Sequence, residues 1–255
     1  MNLTAEQQTL LASIPDPMFR QTTRDFCVNQ QFRKDYWVKG CRTLTALEQA
    51  EALRGQRILL AQPRADVGLK VTGSLGEATL QEAVYGPILD QLADHKPKTL
   101  GQLEQALKAT PSTQSLSFAQ ILQAAMVLSA TGAVQAVQDD AVVQKAKKRT
   151  DRLNVYLMTK ARSSNELSYL ASPVTGGGVT VPRFQQLFLL AKQQGHKHPQ
   201  DWANFVWNIL ALQNQRLVKD GKTLETVEEN LAELTAQASE FAEKQLPIFK
   251  ALQIA

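Results

Sequence analysis

The stretch SFAQILQAAMVLSATGAVQAV, residues 117–137, decides the fold class of this chain. Residues 117–132 predict a helix, with Ser117 as its N-cap and Gly132 as the glycine that follows its C-terminus. The next five residues, AVQAV, predict a short strand. The sequence therefore predicts a helix that ends at a glycine and leads directly into a strand.

Two further helices are predicted immediately before this one. Apolar residues at helical spacing, from Leu80 to Leu92, indicate a helix from about residue 77. Lys98–Lys108 indicates a second helix with Thr99 as its N-cap. Three helices followed by a strand is the element order of a winged-helix unit, and a plain helical bundle fits the same pattern.

The remaining segments add helices and a small β element. Thr4 and Gln7 form a possible capping box before a first helix, and a second helix is expected over residues 17–31. Strands are expected over residues 34–40, 56–64 and 66–73, with a helix over 45–53 between them. Beyond residue 144 the pattern is again helical, with a turn at Gly176–Gly178 and a final helix over 226–242.

These elements predict a mainly α fold with small β elements, an α+β class made of helical and winged-helix-like accessory domains. No Rossmann sheet is expected. The domain bounds that fit best are 1–75 for a helix and small β segment, 76–143 for a winged-helix-like domain, and 144–255 for a C-terminal helical or winged-helix-like domain.

The composition fits a globular protein but is poor in catalytic side chains. The 255 residues are 44% hydrophobic, with two cysteines and three histidines. The N-terminus lacks a signal-peptide pattern, and no apolar run approaches the roughly 20 residues that a membrane span requires. Two isolated cysteines suggest reduced thiols, so we expect a cytoplasmic protein without a membrane span.

The motifs that suggest cofactor or metal chemistry have simpler interpretations. Gly176 and Gly178 form a Gly-x-Gly, but Val181 stands where a dinucleotide fingerprint requires its third glycine. His196 and His198 flank a helix start and are read as a solvated turn. We assign no catalytic, cofactor-binding or metal-binding residue.

Charge is segregated along the chain, although its formal net value is only +4. Residues 20–70 and 145–162 are basic, and residues 225–243 contain six glutamates and no lysine or arginine. A basic face for nucleic acid or an acidic partner is one interpretation. A solvated face, or pairing of the basic run with the acidic helix, is the interpretation we favour, because the predicted helix at 117–132 has no cation for reading DNA.

Three segments resemble one protein family. PMFRQTTRDFCVNQQFRKDYWVKG, with an Asn-x-x-Phe-Arg motif at Asn29, Phe32 and Arg33, resembles methyltransferase regulatory domains. LSYLASPVTGGGVTVPRFQQLFLLA and the tail from Arg216 resemble the C-terminal region of the same proteins. These are class I S-adenosylmethionine-dependent methyltransferases, including a bacterial protein-lysine methyltransferase family.

The resemblance implies the accessory half of such an enzyme, because the glycine-rich loop and acidic residue that bind the methyl donor have no counterpart here. It implies a non-catalytic regulatory or substrate-recognition module, with S-adenosylmethionine held by an associated catalytic domain in cis or in trans. A protein substrate is a possible second partner. The alternative is a winged-helix DNA-binding regulator, although we do not expect a nucleic-acid partner.

The candidate contact surface lies around the Asn-x-x-Phe-Arg motif. It comprises Arg24, Asn29, Phe32, Arg33, Lys34 and Arg42. Arg33 has an equally good structural interpretation, with its aliphatic stem packed and its guanidinium bound to backbone carbonyls.

Overall fold

The computed structural model describes residues 3–33, 38–73 and 76–255, and in these it contains eleven α-helices and nine short strands. The first part comprises α1 (Ala5–Ser13), α2 (Pro17–Cys27), α3 (Ala46–Arg54), β1 (Arg57–Leu60), β2 (Lys70–Gly73), β3 (Gly76–Thr79), α4 (Glu82–Leu92), β4 (Lys98–Thr99), α5 (Leu100–Lys108), α6 (Phe118–Ala130) and β5 (Val134–Ala136). The second part comprises α7 (Asp140–Lys160), β6 (Tyr169–Ser172), β7 (Gly177–Thr180), α8 (Arg183–Gln193), α9 (Pro199–Leu212), β8 (Val218–Lys219), β9 (Lys222–Thr223), α10 (Val227–Glu240) and α11 (Leu246–Ala251). A π-helical turn, Phe241–Gln245, joins α10 to α11.

The strand β1 is the centre of a three-stranded sheet with the order β4-β1-β5. Both neighbours are antiparallel to it, with Ile58 opposite Lys98 on one side and Ala136 on the other. The other strands form three two-stranded hairpins. Every strand pair among the residues described is therefore antiparallel, and this part of the chain has an α+β fold without a Rossmann-type sheet.

Successive side chains of β1 point into two different hydrophobic cores. Ile58 and Leu60 belong to the first core, which otherwise comprises buried residues between Val67 and Val134. Leu59 is fully buried in the second core, whose other members lie between Val143 and Ile254. Because side chains alternate across a strand, these three consecutive residues contribute to both cores at once.

The first core is formed mainly by α4, α5 and α6. Leu89, Leu103 and Ile121, one from each helix, are fully buried in it. Capping boxes begin α5 at Thr99 and α6 at Ser117, and Gly132, with φ +81°, follows the end of α6. The predicted caps are confirmed, as is the strand that follows Gly132.

The second core is formed by α7 to α11 and the β6–β7 hairpin. The Phe241 ring lies at its centre, 5.6 Å from the Phe188 ring and 6.0 Å from the Trp202 ring, measured between centroids. The Ser172 hydroxyl donates to the Leu252 carbonyl over 2.8 Å and ties the β6–β7 hairpin to the C-terminus. Buried polar groups in this core therefore connect segments that are distant in the sequence.

Helix α3 is anchored to the first core by a charged cluster. Arg54 Nε donates to Glu104 Oε2 over 2.7 Å, and Lys108 Nζ donates to Glu104 Oε1 over 2.6 Å. The Arg54 guanidinium also lies 4.5 Å from the centroid of the Phe118 ring. The hydrogen bond from Arg54, followed by that from Lys108, holds the pKa of the Glu104 carboxyl below its ordinary value.

Three local predictions are wrong. Residues 77–79 form strand β3, which pairs with β2, and helix α4 begins only at Glu82. Within the predicted strand at 34–40, residues 34–37 lie outside the described residues, and residues 38–40 form irregular structure and a turn. Only Gly176 of the glycine run occupies the turn, with φ +72°, whereas Gly177 and Gly178 begin β7.

The domain bounds 1–75, 76–143 and 144–255 stay a prediction. Residue 143, the last of the predicted middle domain, lies inside the continuous helix α7 and is buried in the second core. The strand β1, from the predicted first domain, supplies side chains to both cores.

The first prediction concerns Leu59. We expect Leu59→Ala to lower the free energy of unfolding by about 2–5 kcal/mol, the usual cost of truncating a fully buried leucine. Urea denaturation followed by circular dichroism measures it. Leu212→Ala, at a side chain that is 85% exposed, is the control and should change stability by less than about 0.5 kcal/mol. Equal effects of the two substitutions would contradict the central position of β1.

The second prediction concerns pH. Because the pKa of Glu104 is lowered in the folded state, its carboxylate stabilises the fold above the ordinary glutamate pKa of about 4.3. That contribution is lost as the pH falls through the folded-state pKa. We expect Glu104→Gln to lower the urea midpoint at pH 7 and the difference from wild type to shrink on acidification below the ordinary pKa.

The matched control is Glu51→Gln. Glu51 also pairs with Arg54, at 3.1 Å, but its side chain is 65% exposed, so its effect should be smaller. A Glu104→Gln deficit that stays constant between neutral and acidic pH would be evidence against the assigned ion-pair role.

Candidate functional site

The N-terminal segment exposes large apolar side chains that the two cores do not use. Among the described residues before 58, Leu11 is the one buried apolar side chain, and none belongs to either core. We call the exposed ones the N-terminal apolar set: Leu10, Met18, Phe19, Phe26, Phe32, Val38, Leu44 and Leu47. A concentration of exposed apolar side chains is typical of a surface that binds a partner.

Helix α2 positions three members of this set on one side. At 100° per residue, Met18, Phe19 and Phe26 fall within a 100° arc, and they are 61–83% exposed. We call these three the α2 apolar face. The opposite side includes Gln21, Arg24 and Val28, which are partly buried.

Local interactions explain why α2 begins and holds its place. The Asp16 carboxylate accepts a hydrogen bond from the Phe19 backbone N–H over 2.6 Å, and Pro17 occupies the first turn. Arg20 Nε donates to the Ile14 carbonyl over 2.8 Å, across the connection from α1. These contacts fix α2 relative to α1 without using the apolar face.

The predicted contact residues divide into structural and exposed ones. Asn29 has φ +51° and follows the end of α2, a left-handed position that asparagine tolerates. Arg33 forms an ion pair with Asp25 of α2. Phe32 is 84% exposed, so this aromatic ring is available to a partner, and Arg24 is partly buried.

The two remaining predicted residues lie further along the chain. Lys34 is outside the described residues. Arg42 pairs with Glu48 at the start of α3, where hydrogen bonds from the Thr45 backbone and hydroxyl, and then from Arg42, lower the pKa of the Glu48 carboxyl. The surface of six residues stays a prediction, and the structure supplies local intramolecular roles for Asn29, Arg33 and Arg42.

The α2 apolar face was missed in the sequence because apolar residues in a helix normally predict core. The signal was present in the spacing of Met18, Phe19 and Phe26. What the pattern could not show was that this side of α2 faces no other part of the described chain.

The glycine and histidine motifs have structural roles. The Gly176 turn closes the β6–β7 hairpin and lies against the Gln138 side chain, not between a strand and a helix N-terminus. The His196 carbonyl accepts from Trp202 Nε1 over 2.9 Å, and the His198 backbone N–H donates to Asp201 at the start of α9. Within residues 3–33, 38–73 and 76–255, no three His, Cys, Asp or Glu side chains cluster as a metal site.

None of the helices in the described part of the chain is both long enough and apolar enough to cross a bilayer.

Comparison with known proteins finds a family match over the N-terminal segment. Residues 1–39 match the family model described as a predicted methyltransferase regulatory domain. That match contains the whole α2 apolar face and Phe32.

A second comparison covers the whole chain. The uncharacterized protein sll1526 of Synechocystis sp. (strain ATCC 27184 / PCC 6803 / Kazusa) is 38% identical over 254 residues, which is 100% of this chain and 48% of that protein. The chain thus spans about half the length of this relative. No solved structure matches the chain.

Proposed function

We propose that this chain is a non-catalytic regulatory or substrate-recognition module of a methyltransferase, and that it binds the catalytic domain through the α2 apolar face. One observation carries the proposal. Residues 1–39, which match the regulatory-domain model, contain six of the eight members of the N-terminal apolar set, whose exposed side chains belong to neither core. The catalytic domain acts in cis or in trans.

The energetics of the α2 apolar face support a docking role. Burial of one large apolar side chain contributes about 1.5–3 kcal/mol. Met18, Phe19 and Phe26 together therefore supply a large part of the roughly 8 kcal/mol that micromolar binding requires, before ordering costs are subtracted. Phe32, six residues after Phe26, is a further exposed aromatic side chain in the same segment.

We assign S-adenosylmethionine to the partner and not to this chain. A methyl-donor site needs backbone N–H groups of a glycine-rich loop between a strand and a helix N-terminus. Gly176 closes a β-hairpin instead, and Gly177 and Gly178 begin its second strand, so these residues do not fit the donor. The proposed methyl acceptor is a lysine side chain of a protein substrate. This part of the proposal rests on the family resemblance of residues 167–191 and of the tail.

The proposed setting is the cytoplasm. Cys27 and Cys41 are both free thiols, which supports a reducing compartment.

A winged-helix arrangement is part of the same proposal. The order α4-β4-α5-α6-β5, with β1 inserted between β4 and β5, supports such a unit around the first core. The third helix of this unit, α6, carries no lysine or arginine, and neither does α9 of the second core. These helices are poorly suited to contact phosphates or bases, so they favour the methyltransferase module over the DNA-binding alternative.

A co-purification experiment tests the docking role. The chain is co-expressed with a tagged version of the part of sll1526 that it does not cover. We expect the chain to co-purify, and the double variant Phe19→Ser and Phe26→Ser to reduce its recovery at least tenfold, because two apolar contacts are lost. Leu212→Ser removes an equally exposed leucine outside the N-terminal set and should have no effect. Failure of the wild-type chain to co-purify, or equal losses in both variants, would count against the proposal.

Calorimetry tests the absence of donor binding. The chain is titrated with S-adenosylmethionine at pH 7, and no binding heat is expected because its glycines do not form a donor site. A dissociation constant in the micromolar range would overturn the assignment of the donor to the partner.

A further inference from the structure

Helix α7 presents an exposed row of cations along its outer side. We call this row the α7 cationic stripe; it comprises Lys145, Lys148, Arg149, Arg152 and Lys160, with the Tyr156 ring among them. All six side chains belong to exposed residues. From Lys145 to Lys160 the stripe extends about 22 Å, at 1.5 Å per residue.

The buried side of α7 fixes which residues face outward. Val143, Asn154 and Met158 are buried against the second core. Asn154 Nδ2 donates to the Ala171 carbonyl over 2.8 Å, and Asn154 Oδ1 accepts from the Ala171 N–H over 2.7 Å. This pair of hydrogen bonds sets the rotation of α7 about its axis. At 100° per residue, the residues of the stripe lie within 60° of the direction opposite to Asn154.

The charges of the stripe are not neutralised within the described chain. Four of the five cations make no ion pair with any residue that the structure describes: Lys145, Lys148, Arg149 and Arg152. The fifth, Lys160, has its Nζ 5.4 Å from the centroid of the Tyr156 ring. Lys147, on the flank of the helix, pairs with Asp151.

The acidic helix α10 does not compensate for these cations. Its glutamates have nearer partners: Glu233 pairs with Lys219 at 2.7 Å, and Glu240 with Lys244 at 2.8 Å. Among the ion pairs of the described residues, none joins the basic run at 145–162 to the acidic segment at 225–243. Of the two structural interpretations of this charge, internal pairing is therefore wrong, and the stripe is a solvated face.

Apolar groups and a cavity lie beside the stripe. Leu153, Tyr156 and Leu167 are 47–58% exposed. At the C-terminal end of α7, a cavity of about 260 Å³ is lined by Tyr156, Lys160, Ala161, Ser164, Glu166 and Leu167. A partner that contacts the stripe can therefore bury apolar surface as well as pair charges.

We propose that the α7 cationic stripe binds an acidic helix of a partner protein, with one large apolar side chain of that helix in the cavity beside Tyr156. From Lys145 to Arg152 the cations recur at intervals of three and four residues, and Tyr156 and Lys160 follow at intervals of four. Acidic side chains at the same intervals on a second helix match the cations. This surface is separate from the α2 apolar face, so the inference stands independently of the proposed function.

The same charges could attract nucleic acid, but the apolar groups favour a protein. Phosphate contacts use cations and hydrogen-bond donors but no apolar groups. The exposed leucines and the cavity add binding energy only if the partner offers an apolar group. Neither α6 nor α9 supplies cations that would extend the stripe into a nucleic-acid surface.

Fluorescence anisotropy with a defined probe tests the proposal on the full chain. The probe is a labelled 20-residue helical peptide with glutamate at alternating three- and four-residue intervals and one leucine near its end. The comparison probes are a peptide of the same composition in scrambled order and a 20-base-pair DNA duplex, all at about 0.15 M salt. We expect micromolar binding of the ordered peptide and at least tenfold weaker binding of both comparison probes.

Charge-reversal variants locate the binding. Arg149→Glu with Arg152→Glu should weaken binding of the ordered peptide at least tenfold. Lys197→Glu with Lys250→Glu, which changes the net charge equally at exposed sites elsewhere, should leave it within twofold of wild type. Tyr156→Ala should weaken binding three- to tenfold by removing one wall of the cavity.

Four results would overturn the proposal: no binding of the ordered peptide, equal binding of the scrambled peptide, tighter binding of the duplex, or equal losses in the two charge-reversal pairs. Circular dichroism spectra of all variants should match wild type, because the substituted side chains are exposed. If the spectrum of the Arg149→Glu and Arg152→Glu double variant is altered, the single substitution Arg152→Glu replaces it. We expect that substitution to weaken binding of the ordered peptide three- to tenfold, and an unchanged affinity would overturn the proposal.

Discussion

The fold depends on the placement of one short strand between two hydrophobic cores. Ile58 and Leu60 of β1 fill the first core, and Leu59 between them fills the second. The strand also supplies backbone contacts: the Arg57 carbonyl accepts from the Val137 N–H over 2.9 Å, and Arg57 Nη1 donates to Asp140 at the start of α7 over 2.8 Å. A four-residue segment thus connects helices that begin 25 and 83 residues later along the chain.

The N-terminal segment contrasts with this arrangement. Its helices α1 and α2 are capped and joined by a short connection, yet its phenylalanines remain exposed. Local hydrogen bonds are sufficient to form a helix once its ends are capped, but they do not bury its apolar side. That side needs a surface from outside the described chain, and this need is the physical basis of the docking role that we propose.

Charge in this protein is arranged locally, helix by helix. Three of the six glutamates of the acidic segment pair with a lysine or arginine within about fourteen residues, whereas the cations of the α7 cationic stripe face solvent. The modest net charge of the chain therefore conceals an acidic helix whose charges are partly paired and a basic helix whose outer charges are not paired within the described residues. Two distinct surfaces result, one apolar at α2 and one cationic at α7, and they suit partners of different chemistry.

The sequence by itself determined the elements that depend on local chemistry. The caps at Thr4, Thr99 and Ser117 follow from side chains that bond to their own backbone, and the glycine after α6 follows from the positive φ at that position. The α+β class without a Rossmann sheet follows from the order of these elements. Residues 77–79 show where this reasoning fails, because their helical spacing was overridden by pairing with β2. Only the tertiary structure decided that β1 divides its side chains between two cores, and that the apolar side of α2 and the cations of α7 remain uncovered. Burial and charge pairing are properties of contacts between distant residues, and local spacing carries no information about which distant residues will meet.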